Sequence, residues 1–338
     1  MQPVEALTGY GARERTAKSS GRHTDRSNGS LVSEAAGLYI SRVITRLDHV
    51  VLAVADLEAA TNTYAAMLGR SPSWRGTHEQ QGTANTLFRL ANTYLELLAP
   101  EGSGPLGEFL TQRIKSEGEG PLALAFGTED ARAAAAEIGR RGLSVTAPAE
   151  GMGRDGRSGA ERHWLSFHLS AADTRGVHLF VIEHLNAPDA LPASTPTASA
   201  ESIVDAVDHV VVMTSDAEAA IGLYRDTLGL RLALDRTFEA RGLRLLFFRI
   251  GHLTVECAAA LGAGSEALHR DATTAADSGT DRFWGISYRV ANVDAARERL
   301  IHAGFDVSDT RKGMKPGTRV CTVRRETHGV ATLLLGPE

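Results

Sequence analysis

The chain has 338 residues, 43% of them hydrophobic, which is room for two or three domains with ordinary buried cores. Its 36 basic and 41 acidic residues leave a formal net charge of -5, so no broad positive field draws in nucleic acid. No run approaches the roughly 18 uninterrupted apolar residues of a membrane span, the N-terminus lacks the apolar core of a secretory signal, and Cys257 and Cys321 form no CxxC pair, so the expected setting is the cytoplasm, with free thiols and neither a disulfide framework nor a thiolate zinc site.

Residues 1–42 are rich in Ser, Gly, Arg and Thr without periodicity and are expected to be a flexible extension. Periodic structure begins at ITRLDHVVLAVADLEAATNTYAAMLG, where a β-rich run leads to Asp56 as N-cap of a helix closed by Gly69. The stretch NAPDALPASTPTASAES has no hydrophobic alternation. It separates a first unit, residues 43–186, from a second, residues 204–338, across a linker at 187–203.

An internal repeat spans that linker. LDHVVLAVADLEAATNTYAAMLG recurs as VDHVVVMTSDAEAAIGLYRDTLG at a constant offset of 160: His49 with His209, Tyr64 with Tyr224, Gly69 with Gly229, Arg89 with Arg249, Glu96 with Glu256. A weaker strand–helix pattern follows in each half, with helices ending at Gly142 and Gly304. The chain therefore reads as α+β, with four βαβββ modules at about 46–100, 120–185, 205–260 and 282–337, each half curling eight strands into an incomplete barrel. The glycine-rich GMGRDGRSG and KGMKPGTR lack the phosphate-loop pattern and are expected to be mobile connections.

Strand alternation puts His49, Val51 and Ala53 on one face, and Tyr94, Glu96 and Leu98 likewise, so His49 and Glu96 point into the concavity; the same holds for His209 and Glu256. A carboxylate in the apolar strand YLELLA is costly to bury without a cation or a donor. Arg89 and Arg249 alternate onto the same face, either to bind an acidic substrate or to neutralise the glutamates. His78 and Tyr288 are candidate substrate contacts, with loop solvation and core packing as the plain alternatives.

The DHVV strand, the helix ending in LG and the YLEL strand, together with GTAN at Gly82 to Asn85 and KPGTRV in the second half, resemble the vicinal-oxygen-chelate superfamily of glyoxalases, extradiol dioxygenases and bleomycin-resistance proteins. The resemblance implies a metal ligand on the first and fourth strands of a module, which maps onto His49, Glu96, His209 and Glu256. In the second modules the corresponding positions are Ala123 and Phe180, and Gly285 and one leucine of TLLLG, none of which binds metal. His178 or His184, flanking Phe180, would be substitutes.

Imidazole and carboxylate donors suit a divalent ion such as Zn, Fe, Mn, Ni or Co. The expectation is that modules one and three face each other and the two pairs hold one such ion. A small oxygenated substrate would then undergo lyase or isomerase chemistry through a metal-stabilised enediolate, with Glu96 or Glu256 as the base. The alternatives are an extradiol-type dioxygenase and a metal-free binding or resistance protein. No nucleic acid or membrane partner is expected, and the chain would act as a monomer or homodimer.

Overall fold

The computed structural model describes residues 43–261 and 279–338; the expected extension at 1–42 lies outside them. In the first half β1 (Arg46–Ala53) leads through α1 (Leu57–Leu68) and the short β2 (Arg70–Ser71) to β3 (Trp74–His78), β4 (Thr83–Arg89) and β5 (Tyr94–Pro100). Then come α2 (Pro105–Glu117), β6 (Gly120–Gly127), α3 (Ala131–Arg140), β7 (Ala149–Asp155), β8 (Glu161–His168) and β9 (His178–His184). The connecting stretch contributes β10 (Thr195–Pro196), which pairs with β2.

The second half runs β11 (Val204–Thr214), α4 (Ala217–Ile221) continuing as a π-helical turn over Gly222–Thr227, β12 (Arg231–Phe238), β13 (Leu243–Ile250) and β14 (Leu253–Ala260). It ends with β15 (Arg282–Val290), α5 (Val293–His302), β16 (Arg311–Lys312), β17 (Thr318–Val323) and β18 (Ala331–Pro337). No described helix is long and apolar enough to cross a membrane.

The helix starts follow the local chemistry. Asp56 accepts the Ala59 amide at 2.9 Å, and Asp216 accepts that of Ala219 at 3.0 Å, each satisfying a donor the first turn leaves free. Gly69 ends α1 in the left-handed region at φ 66°, where a side chain would be strained.

The first-half strands close in the order β1-β5-β4-β3-β7-β8-β9-β6, whereas the second half is an eight-stranded sheet, β12-β13-β14-β11-β15-β18-β17-β16. The first half is thus a closed barrel, not the incomplete one expected. GMGRDGRSG is the reason: it folds as β7 and its turn, and β7 pairs with β3 at Gly76↔Asp155 and Thr77↔Arg154. Gly151 lets the Trp164 ring lie flat on that strand, since a Cβ there would sit 2.1 Å from the indole nitrogen. In the second half the strand at the corresponding edge, β16, has only two residues and does not reach β12.

One apolar core unites the halves. It joins Val50, Leu52, Leu95 and Leu97 beneath α1 with Val210, Val212, Val255 and Cys257 beneath α4. The concave faces carry separate clusters. In the first half α2, an element the module pattern did not contain, closes one end of the barrel by packing Leu106, Leu110 and Ile114 on Val51, Ala53 and Leu98.

Candidate active site

β1 places His49 inside the first barrel, 3% exposed, one strand from Glu96 on β5, where Val51 and Glu96 are register partners. The imidazole Nε2 lies 3.3 Å from Glu96 Oε2, and Nδ1 lies 2.9 Å from Asp48 Oδ1. Strict alternation would send Asp48 to the opposite face, but a register shift between Leu47 and His49 re-aims it, as bulges do. His184 Nε2 reaches the same Asp48 oxygen at 2.9 Å. The Tyr94 ring stacks on His49 at 4.4 Å, and the Asn85 amide donates to Glu96 Oε1 at 2.7 Å.

Charge in this chain of groups is settled by partners rather than by burial. Burial alone would lower the His49 pKa, yet the Asp48 and Glu96 carboxylates outweigh it and hold the imidazole above its ordinary value. Burial pushes Glu96 up, and His49 with Asn85 bring it below the usual range. Burial likewise acts against the Asp48 carboxylate, and its bonds to His184 and His49 hold it well below. The two carboxylates therefore favour the protonated form of the imidazole between them. Asn85 also lines an open cleft of about 600 Å³ between the start of α1 and strands β3 and β4.

The second half repeats the pair without its surroundings. His209 Nδ1 is 2.8 Å from Asp208 Oδ1, and its Nε2 is 3.6 Å from Glu256 Oε2. Both Glu256 oxygens are buried with no hydrogen-bond partner, and burial raises the acid to about 7. Leu234, Phe238, Leu245 and Phe247 stand one repeat of 160 after Trp74, His78, Asn85 and Leu87 and fill this bowl with hydrocarbon.

The two pairs do not meet, which corrects the expected shared site. Each first module pairs with its own second module, β1 with β6 and β11 with β15, and the common core lies between the bowls. The register fixes the remaining ligand positions at Ala123 with Phe180 and Gly285 with Leu333, all unable to coordinate. No group of three or more His, Cys, Asp or Glu side chains among the described residues is arranged to hold a metal ion. Asp48, His49, His184 and Glu96 form a chain and do not converge on a point. Neither that chain nor the His209–Glu256 pair offers the three converging protein ligands that a resident catalytic divalent ion takes.

Two substrate-contact expectations are also corrected. Arg89 spends its guanidinium on the carbonyls of Pro188 and Leu191, pinning the connecting stretch over the barrel. Tyr288 is fully buried in the common core, on the helix side of β15. Arg249 is exposed, and its charge reaches Asp208 and His209. His78 does lie in the first barrel, bonded to Thr83 at 3.1 Å, and its charge acts on Glu96. His178 packs against Phe109 of α2 instead of taking a ligand position.

A barrel of paired βαβββ modules with a His and a Glu on its first and fourth strands defines the class. Residues 47–204 match the family described as a glyoxalase-like domain, and residues 208–322 match the glyoxalase/bleomycin resistance protein/dioxygenase superfamily. The chain belongs to this superfamily, with two of its domains in tandem. Over 109 residues it is 34% identical to the ethylmalonyl-CoA/methylmalonyl-CoA epimerase of Cereibacter sphaeroides, a match covering 32% of this chain and 79% of that protein. A mutant 4-hydroxymandelate synthase from Streptomyces coelicolor superposes with a TM-score of 0.62 at 13% identity, over 87% of this chain and 93% of that one. A hypothetical protein from Staphylococcus aureus gives 0.56 at 11%, over 86% and 99%. At these identities the two structures speak for the fold alone.

Proposed function

We propose that the first barrel is a proton-transfer site of the isomerase class, acting on a small oxygenated organic molecule, and that the second bowl is structural. The observation that carries this reading is the asymmetry between the repeats. Glu96 is held as a carboxylate by His49 and Asn85 and keeps 13% of its side chain exposed, whereas Glu256 is sealed in hydrocarbon.

The chain's own groups suffice for the step. Glu96 Oε2 takes a proton from a carbon beside a carbonyl, while the imidazolium of His49, fixed through Nδ1 by Asp48, offers its Nε2 proton to the oxygen on which charge develops. Return of the proton from Glu96 to the planar carbon, after the enol has turned its other face to the carboxylate and as its oxygen hands its proton back to His49, completes an isomerisation. A ring-cleaving dioxygenase would need two imidazoles and a carboxylate converging on one iron, and among the described residues no three His, Cys, Asp or Glu side chains are arranged to hold one ion.

The test is hydrogen exchange in deuterated water with a panel of 2-substituted thioesters and ketones that includes methylmalonyl-CoA, the substrate in the relative's name. Deuterium should enter beside the carbonyl, unchanged by a chelator and by His209→Ala, and fall at least a hundredfold in Glu96→Gln. Exchange that a chelator abolishes, or that Glu96→Gln leaves intact, overturns the reading.

A further inference from the structure

Arg162 on β8 is 8% exposed, yet no carboxylate lies within ion-pair distance of it among the described residues. Alternation explains its direction: Leu165 and Phe167 pack toward the common core, so Arg162, Trp164 and His168 turn into the barrel. Its guanidinium lies 5.7 Å from the Trp74 ring centre and 5.3 Å from that of Tyr94. Its one hydrogen bond is a long one, from Nη2 to the Tyr94 hydroxyl at 3.5 Å.

Two aromatic faces compensate part of the desolvation of a buried cation, but they leave most of its N–H donors unused. Arg162 is the one buried arginine among the described residues, and the less buried Arg70 and Arg299 are by contrast spent on fixed acceptors, the carbonyls of Val204 and Ser194 and that of Met67. A planar fork of donors held between two rings suits a carboxylate, which accepts two parallel bonds. Tyr94 links this fork to the chemistry, since the ring that flanks Arg162 also stacks on His49 at 4.4 Å.

The geometry points to Arg162 as the anchor for a carboxylate carried by the substrate, with the reacting carbon placed past Tyr94 at His49 and Glu96. This rests on the proton-transfer reading above and adds a substrate class: acids in which a carboxylate sits within a few bonds of the carbon that loses its proton. The second half lacks the flanking ring pair, because Leu234 and Thr254 stand at the repeat positions of Trp74 and Tyr94.

Malonate, with its uncharged diamide as control, is the probe, and binding to the full chain is followed by tryptophan fluorescence, since Trp74 borders the guanidinium. Wild type should bind malonate saturably and at least tenfold more tightly than malonamide. Arg162→Met should lose at least tenfold in malonate affinity, and Arg162→Lys should recover part of it. Equal binding of malonate and malonamide by wild type overturns the inference, even where Arg162→Met fails to fold. So does unaltered malonate affinity in a folded Arg162→Met. The two readings fail separately: malonate binding that needs Arg162 without any exchange at Glu96 upholds the anchor and removes the proton transfer, and the converse result removes only the anchor.

Discussion

Glu96 and Glu256 occupy the same place in two copies of one strand pair, and their neighbours separate their chemistry: His49 lies at 3.3 Å from Glu96 but His209 at 3.6 Å from Glu256. Asn85 donates to Glu96, while one repeat later Leu245 offers Glu256 nothing. A sealed acid with a pKa of about 7 keeps a proton that the unfolded chain has released above the ordinary carboxylate range. Its contribution to stability is therefore complete below about pH 4 and is lost as pH rises through 7, a swing of about 3 kcal/mol. Glu256→Gln removes that loss, so denaturant titrations should find the variant close to wild type at pH 5 and more stable at pH 8; parallel pH slopes would mean that Glu256 is solvated. The imidazole–carboxylate pairs were legible in the sequence, because a constant repeat offset and strand alternation need no knowledge of packing. Asp48 was not, since its orientation comes from a bulge that only pairing with β6 creates, and Arg162 was not, since β8 lies in the module whose repeat signal is weak.

Among the elements, β7 decides that one half closes and the other does not. Its glycines made it read as a loop, because glycine signals a turn wherever alternation is absent; the structure uses them to let Trp164 lie against the strand. Gly151→Val should displace that indole, destabilise the first barrel by about 1–3 kcal/mol as overpacking does, and shift the tryptophan emission. An unchanged spectrum and stability would show that the ring is free to move aside. The helix α2 escaped the repeat for a different reason. It has no counterpart among the described residues of the second half, and only the open end of a barrel gives Leu106, Leu110 and Ile114 something to cover. Arg89 belongs to this scale as well: alternation gave its face correctly as a pattern, but the returning segment at Pro188 to Leu191 arrives over the barrel end and takes its donors.

At the scale of the whole molecule the repeat becomes a pseudo-symmetric pair of domains joined back to back. Each sends the turn before its last strand into the other: His328 pairs with Glu119 at 2.8 Å, and Arg175 with the buried Asp281 at 3.2 Å. Arg299 on α5 donates to the carbonyls of Ala66 and Met67, acceptors that the C-terminal turn of α1 leaves free, so one domain caps a helix of the other. Two domains that share a core and exchange caps cannot lose one without exposing the apolar face of its neighbour, and calorimetry of the full chain should show one cooperative transition. Arg299→Ala strips the end of α1 of a charged donor and should cost about 2–3 kcal/mol, lowering the transition without splitting it. Two resolved transitions, in wild type or in the variant, would mean that the domains fold as independent units and that the sealed second bowl does not support the first.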